Sequence, residues 1–205
     1  MGVYREHVLP RLTEWLLDQP AIERRRAETV MGLEGEIVEL GFGAGLNLPV
    51  LPAGVTRVNA VDPDRVGRRL AAERIHAATA DVCFAGLDGE RLALDDASMD
   101  GALSTFTLCS IPGVVQALRE VRRVLRPGAP FAFLEHGIAS TPRLVRWQRR
   151  VNPVYSPIAG GCRLDLDVED VLARAGFTIV KLEHSLLGKK PGLTNHLVRG
   201  VAVAS

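Results

Sequence analysis

Cysteine is scarce in this chain of 205 residues, and its placement argues against two common kinds of scaffold. The three cysteines, Cys83, Cys109 and Cys162, form no CxxC or CxxH pair. This spacing indicates neither a disulfide framework nor a zinc site, and we predict that the protein holds no metal. An odd number of widely spaced cysteines is typical of a reducing compartment, so we predict a cytoplasmic protein.

The chain also lacks an excess of charge and a long apolar run. Lys and Arg number 25 against 24 Asp and Glu, which leaves a formal net charge of +1. This balance provides no general attraction to nucleic acid, and we expect no nucleic-acid partner. No run approaches the roughly 20 apolar residues of a membrane span, so we expect no integral membrane segment. The sequence leaves the oligomeric state open.

What the chain does contain is an alternation of short apolar runs and helical segments. The runs occupy residues 36–40, 58–61, 82–85, 100–105 and 131–134. Such runs are typical of strands buried on both faces. Helical patterns lie between them at 65–74 and 114–125. The alternation predicts an α/β fold with a parallel sheet and helices on both faces.

Both ends of the chain extend this pattern. Apolar residues at three- and four-residue spacing predict an amphipathic helical region over residues 5–30, which Pro20 divides. We interpret residues 1–30 as a helical cap packed on a domain of residues 31–205. Near the other end, a helix at 168–175 precedes two strands that pair most simply as an antiparallel hairpin. The prediction is a seven-stranded Rossmann-like sheet, mostly parallel, with an antiparallel last strand.

A glycine-rich segment follows the first predicted strand. It runs from Glu39 through Gly41, Gly43 and Gly45 to Asn47, which is a candidate helix N-cap. Glycines let the backbone turn tightly and let a ligand lie against the main chain. The spacing is G-x-G-x-G, so the third glycine comes one position earlier than in the dinucleotide fingerprint G-x-G-x-x-G.

Acidic residues follow the next two predicted strands. Asp62 ends the second strand, where a carboxylate can accept both hydroxyls of a ribose. The alternative is an exposed acid that caps the strand end. Asp88 follows the third strand and could accept a hydrogen bond from an exocyclic amine. Since the pair Asp88-Gly89 also favours a turn, a turn role is the alternative there.

Together these segments resemble the class I S-adenosylmethionine-dependent methyltransferases. The family motif acid-x-Gly-x-Gly-x-Gly matches residues 39–45, its ribose-binding acid matches Asp62, and its adenine-side loop matches residues 87–100. That loop departs from the family at Leu87, Ala93 and Ala97. The resemblance implies a class I methyltransferase domain with S-adenosyl-L-methionine as cofactor. The cofactor-binding residues that it implies are Glu39, Gly41, Gly43, Gly45, Asp62, Asp88, Gly89 and Thr105.

A narrower resemblance covers most of the catalytic domain. Segments 104–110, 135–136, 147–148 and 161–164 are similar to the methyltransferase-like group that includes thiol S-methyltransferases of animal membranes. Bacterial relatives of that branch are soluble, and some are labelled phospholipid N-methyltransferases. The resemblance therefore implies a small-molecule or lipid-like acceptor that carries a thiol, amine or hydroxyl. The fourth strand ends without the Asp/Asn-Pro-Pro-aromatic motif of amino-directed nucleic-acid methyltransferases.

Residues that follow the fourth and fifth strands are predicted to face the acceptor. His136 is the candidate catalytic residue, since it could deprotonate or hydrogen-bond an acceptor; the alternative is a structural histidine. Cys109 and Cys162 are interpreted as small packed residues, because no adjacent base is visible in the sequence. Residues 140–165 are predicted to overhang the acceptor pocket, with their arginines forming a solvated face.

Two other functions stay open on the sequence alone. One is a nicotinamide-dependent oxidoreductase, against which the glycine spacing and the C-terminal hairpin count. The other is a protein that binds S-adenosylmethionine without catalysis.

Overall fold

The structure is a computed structural model that describes residues 4–204, apart from the side chains of Arg5 and Glu6. Residues 1–3 of the predicted cap and Ser205 lie outside the described residues. A π-helical turn at Tyr4–Val8 precedes the first helix. The α-helices are α1 (Leu9–Leu17), α2 (Pro20–Val30), α3 (Arg65–Leu70), α4 (Ala72–Ala77), α5 (Val114–Val124), α6 (Pro142–Ile158) and α7 (Val168–Ala175). The strands are β1 (Gly35–Leu40), β2 (Val55–Val61), β3 (Asp81–Gly86), β4 (Gly101–Thr105), β5 (Pro130–His136), β6 (Phe177–Leu186) and β7 (His196–Ala204).

All seven strands form one sheet in the order β3-β2-β1-β4-β5-β7-β6. Strands β1 to β5 pair in parallel. Strand β7 lies between β5 and β6 and is antiparallel to both. The predicted seven-stranded, mostly parallel sheet with an antiparallel last strand is therefore confirmed. The five apolar runs form β1 to β5; β1, β2, β4 and β5 are mostly buried, whereas β3 lies at the edge of the sheet and is only partly covered.

The helices cover the sheet on both faces, as predicted. On one face Val38 and Phe133 pack in a core with residues of α5 and α7. On the other face their strand neighbours Ile37 and Ala132 pack in a second core that includes Val30 of α2. Alternate residues of the same strand thus belong to different cores, which explains why β1 and β5 carry apolar residues on both faces.

The order of the strands reverses at β1, which has β2 on one side and β4 on the other. In such sheets a ligand binds in the crevice beyond the carboxyl ends of the strands at this point. The glycine-rich segment follows β1, and residues 105–107 lie at the end of β4. The topology therefore places both predicted halves of the site at the same crevice.

Helix α1 of the predicted cap contacts the domain through its polar side. No residue of α1 is buried, and Trp15 is 66% exposed. The polar side of the helix is held instead, because Arg74 of α4 bonds to Glu14 at 2.7 Å and to Asp18 at 3.0 Å. The apolar stripe of α1 consequently faces solvent. Within the described chain, no helix has both the length and the apolar character needed to cross a bilayer.

The helical region predicted over residues 65–74 is divided at Ala71 into α3 and α4. Downstream of β5, α6 fills most of the predicted overhanging segment and contains Pro153 and Pro157. Its arginines at positions 143, 146, 149 and 150 are mostly exposed, as a solvated face requires.

Candidate functional site

The glycine-rich segment depends on left-handed backbone at three positions. Gly41, Gly43 and Gly45 have φ values of +70°, +53° and +71°. A Cβ at Gly41 would collide with Thr107, and one at Gly45 would lie 3.2 Å from Leu48. A Cβ at Gly43 would meet nothing closer than a backbone oxygen at 4.0 Å. The main chain at Gly43 therefore borders open space, where a ligand can approach it closely.

Asp62 connects this segment to the end of β2. Its Oδ2 accepts a hydrogen bond from the Gly43 amide at 2.7 Å, and its Oδ1 accepts one from the Asp64 amide at 2.6 Å. Burial raises the pKa of Asp62. Each carboxylate oxygen has a further lone pair, so these bonds leave acceptor capacity for hydroxyl groups. Asp62 lines a cleft of about 590 Å³ together with residues 64, 65, 68, 69, 84, 86 and 87.

A buried polar network lies on the other side of the glycine-rich segment. Asn47 donates through Nδ2 to Glu39 Oε1 at 2.6 Å and to Thr105 Oγ1 at 3.0 Å. Arg26 of α2 donates through Nη1 to Asn47 Oδ1 at 2.8 Å and to Thr105 Oγ1 at 2.5 Å. Glu39, Asn47 and Arg26 are each less than 5% exposed. The predicted cofactor residues Glu39 and Thr105 are thus brought together.

Asn47 was predicted as a helix N-cap, and this prediction is wrong. The element that follows it is a 3₁₀ turn at Leu48–Val50, to which the Asn47 side chain makes no capping bond. The buried carboxylate of Glu39 needs a donor, and Asn47 is the side chain that supplies it.

Arg26 is not among the predicted site residues, although its position on the apolar side of α2 could have identified it. The buried residues of α2 are Ile22, Arg26, Thr29 and Val30, which share one helical face. An arginine on the buried face of a helix requires an acceptor inside the protein. The pattern could therefore have singled out Arg26.

The network carries two buried groups of opposite charge. Burial raises the pKa of Glu39 to about 7 and lowers that of Arg26 to about 10. Glu39 Oε2 and Arg26 Nε have no hydrogen-bond partner within the described residues. A buried acid beside a buried guanidinium suits a ligand that carries an ammonium and a carboxylate. The amino-acid end of S-adenosylmethionine is such a ligand, so the residues present fit the cofactor.

Substitution Glu39→Gln should change the pH dependence of stability. Because the native pKa is above the unfolded value, the native state keeps a proton that the unfolded chain releases between about pH 4.5 and pH 7. Wild-type stability should therefore fall as pH rises through this window, by up to about 3 kcal/mol. The Glu39→Gln variant lacks this loss, and urea unfolding should show it gaining stability relative to wild type from pH 5 to pH 8.

The matched control for that experiment is Glu120→Gln. The hydrogen bond from Arg123 lowers the pKa of Glu120, which is the opposite direction to Glu39. Its effect on the free energy of unfolding should be the same at pH 5 and pH 8. An equally constant effect for Glu39→Gln would contradict the assignment of a raised pKa to Glu39.

Asp88 and Gly89, which were also predicted to bind the cofactor, lie in a turn and not in the buried network. Asp88 is exposed, and its Oδ1 accepts a hydrogen bond from the Glu90 amide at 2.8 Å, which is the turn role. It follows Leu87 at the rim of the cleft. A Cβ at Gly89 would make ordinary contacts at 3.6 Å or more. Cofactor binding by these two residues stays a prediction.

Phe106, directly after β4, joins the buried network to His136. It has a φ of +56°, which is a strained conformation for a bulky residue and is typical of functional sites. The Arg26 guanidinium lies 5.4 Å from the centre of its ring. The His136 ring packs edge-on against it, with centroids 5.1 Å apart. One aromatic ring therefore separates the cofactor-side arginine from the predicted catalytic histidine.

Glu135 fixes the turn that carries Phe106. Its Oε1 accepts hydrogen bonds from Ser104 Oγ at 2.7 Å and from the Thr107 amide at 3.1 Å. Burial raises the pKa of this carboxyl group. The end of β5 thus holds the loop after β4 in place.

Cys109 and Cys162 are buried as predicted, and the structure places beside them a histidine that is not their neighbour in the sequence. Their sulfur atoms are 3.1 Å apart, and His136 Nδ1 lies 3.8 Å from the sulfur of Cys162. The contact between the two thiols raises the pKa of Cys109 and lowers that of Cys162. The cysteines are 53 residues apart in sequence, so their spacing could not indicate this contact.

Comparison with known proteins gives a consistent result. The family described as "Methyltransferase domain" (Methyltransf_11) matches residues 38–133. The human thiol S-methyltransferase TMT1A is 34% identical over 160 residues, which are 72% of this chain and 62% of the relative. The human thiol S-methyltransferase TMT1B is 32% identical over 180 residues, which are 78% of this chain and 69% of the relative. The chain thus spans about two thirds of the length of these curated relatives.

The fold has solved counterparts as well. The structure of a methyltransferase from Thermotoga maritima, described as a possible histamine N-methyltransferase, superposes with a TM-score of 0.68. It covers 99% of this chain and 98% of its own, with 19% sequence identity, which shows a common fold. The matched methyltransferase domain and the solved methyltransferase structures indicate S-adenosylmethionine as the cofactor. The chain belongs to the S-adenosylmethionine-dependent methyltransferases, and its cofactor is S-adenosylmethionine.

Proposed function

We propose that the protein transfers the methyl group of S-adenosylmethionine to the thiol sulfur of a small molecule. The observation that carries the proposal is the similarity, over more than two thirds of this chain, to relatives named thiol S-methyltransferases. The presence of His136 beside Phe106, at the end of β5, supports it with a group that can handle the acceptor's proton.

The proposed cofactor residues surround the crevice at the carboxyl ends of β1, β2 and β4. Gly43 gives close access to the main chain, and Asp62 supplies acceptors for the ribose hydroxyls. Glu39 and Arg26 hold the amino-acid end. When bound, the cofactor supplies a methyl group on a sulfonium that leaves without acid assistance. The protein's task is therefore to align the acceptor and to exclude water.

His136 handles the proton of the acceptor in this proposal. A thiol reacts as its thiolate, so it must lose its proton before or during attack. A histidine can accept a proton near neutral pH. The helix α6 follows β5, and its buried Gln148 accepts a hydrogen bond from the Ala139 amide in the segment that connects them. We propose that this helix borders the acceptor.

Asp62→Ala should weaken the binding of S-adenosylmethionine about 10- to 100-fold, because the ribose hydroxyls lose a charged acceptor. Loss of the bond to the Gly43 amide also frees the glycine-rich segment, and this acts in the same direction. Isothermal titration measures the change. The control is Asp81→Ala, since Asp81 is exposed at the opposite end of β3. Wild-type affinity in the Asp62 variant would remove this residue from the site.

An acceptor screen tests the proposed thiol specificity. The protein is incubated with S-adenosylmethionine labelled on its methyl group and with alkyl thiols, phosphatidylethanolamine or quinone precursors. We expect the label in the thioether products of the thiols. Transfer to the amine or to the quinone ring, without transfer to any thiol, would overturn the proposal and leave a methyltransferase with another acceptor.

A further inference from the structure

We propose that Cys109, Cys162 and His136 bind a zinc ion that takes the acceptor thiol as its fourth ligand. We call these three residues the Cys-Cys-His cluster. The inference rests on the thiol acceptor proposed above and assigns the group that activates its sulfur. With zinc bound, His136 is a ligand, and the metal replaces the proton-accepting role that a free His136 would have.

The cluster is formed where three separate segments meet. Cys109 lies in a 3₁₀ turn after β4, His136 ends β5, and Cys162 follows α6. The sulfurs are 3.1 Å apart, and His136 Nδ1 is 3.8 Å from Cys162 Sγ. All three possible ligand atoms lie within 4.8 Å of one another. Three donor side chains from three segments thus point to one small volume.

Backbone contacts hold the segments that carry Cys109 and Cys162 close together. Gly161 has a φ of +101°, and a Cβ there would lie 3.1 Å from the carbonyl oxygen of Ser110. The Arg163 amide donates a hydrogen bond to the Cys109 carbonyl at 3.0 Å. These contacts fix the segment after α6 against the turn after β4 on both sides of Cys162. The two thiols are therefore held together by the main chain and not only by their own packing.

The donor atoms match zinc. Sulfur and imidazole nitrogen are its usual protein ligands, and catalytic sites use three of them and keep the fourth position open. With Zn–S bonds of about 2.3 Å in a tetrahedron, the sulfurs would be about 3.8 Å apart. Small rotations of the two cysteine side chains would widen the observed separation to this value. Two thiolates balance the charge of the ion, so the site can be buried as a neutral unit.

A fourth ligand would enter on the side of His136, the least buried residue of the cluster. Cys109 is 1% exposed and Cys162 is 9% exposed, whereas His136 is only partly buried. The edge of the His136 ring lies against Phe106, which borders the cofactor-side network. A ligand that enters beside His136 therefore reaches the metal position from the direction of the crevice.

The metal would replace a proton on the acceptor sulfur. A thiol that coordinates zinc is deprotonated, and its proton passes to solvent. A lone pair of the coordinated sulfur then forms the new bond to the methyl carbon. The sulfonium carbon–sulfur bond breaks, and its electron pair stays on the cofactor's sulfur. The product is a neutral thioether, which is a weak ligand for zinc and leaves the site.

Metal content and cobalt substitution test the site without any methyl transfer. Wild-type protein dialysed against Zn²⁺ and then against metal-free buffer should keep one zinc per chain. With Co²⁺ in its place, the protein should show a sulfur-to-cobalt charge-transfer band. Cys109→Ser, Cys162→Ser and His136→Ala should each lose or weaken the band, while the exposed Cys83→Ser and His76→Ala should keep it. Circular dichroism checks that each variant is folded.

The fourth ligand is tested on the cobalt protein with 2-mercaptoethanol as the probe. The thiol should shift the visible bands of cobalt, and the matching thioether, 2-(methylthio)ethanol, should not. A wild-type chain that retains no metal, or a Cys109→Ser chain with an unchanged band, overturns the site. Cobalt bands that do not shift when 2-mercaptoethanol is added would overturn the proposal that the metal binds the acceptor thiol. Thiol methylation by zinc-free protein would also overturn the inference and leave the proposed function intact. Metal binding without methylation of any thiol would overturn the function, and with it the metal's role toward the acceptor, and would leave only the metal site.

Discussion

Gly43→Val should lower the affinity for S-adenosylmethionine at least about 100-fold, which corresponds to about 2.7 kcal/mol or more. A Cβ at this position enters open space in the crevice, where the cofactor would lie against the main chain. The side chain therefore occupies the space of the ligand. The left-handed φ of +53° adds strain, because a β-branched residue adopts this conformation only at a cost of about 1–3 kcal/mol. Isothermal titration gives the affinity, and thermal unfolding gives the loss of stability.

Gly128→Val separates the two effects. Gly128 has a φ of +80°, and a Cβ there would likewise meet nothing within 4 Å. It is exposed in the loop before β5, at the end of the sheet opposite the crevice. This variant should lose comparable stability and bind S-adenosylmethionine as wild type does. Wild-type binding by Gly43→Val would show that the glycine-rich segment does not approach the cofactor.

His136→Ala should lower the turnover of a thiol acceptor about 100-fold or more, with the affinity for S-adenosylmethionine within about twofold of wild type. The histidine packs against Phe106 on the face of the site away from Asp62, so its removal leaves the cofactor contacts in place. Initial rates at saturating cofactor measure turnover, and titration of the cofactor measures affinity.

The control for this variant is His76→Ala, because His76 is exposed on α4, away from the ends of β4 and β5. Its turnover should equal that of wild type. If His136→Ala also turned over at the wild-type rate, the histidine would have the structural role that the sequence left open.

The sheet could be predicted from the sequence because its pattern is local. Strands buried on both faces appear in the sequence as short apolar runs. The turns of the glycine-rich segment can be predicted from its glycines alone. The face of α1 could not be predicted in this way. Its amphipathic pattern shows that the two sides differ, but the ion pairs of Arg74 with Glu14 and Asp18 decide which side meets the domain.

The site was only partly predictable for a related reason. Glu39, Asp62 and Thr105 stand next to strand ends, which a sequence pattern can locate. The contacts of Arg26 with Thr105 and of Cys109 with Cys162 join residues 79 and 53 positions apart. They arise because β4 and β5 are parallel neighbours and because α2 packs near their ends. The spacing of neighbouring residues in the sequence does not predict contacts between residues so far apart.

The central claim is that this protein binds S-adenosylmethionine at the crevice between β1 and β4. Isothermal titration of the purified chain with S-adenosylmethionine, and separately with NAD⁺, tests it most directly. We predict binding of one S-adenosylmethionine per chain, displaced by S-adenosylhomocysteine, and no heat of binding with NAD⁺. Binding of NAD⁺ without binding of S-adenosylmethionine would contradict the claim.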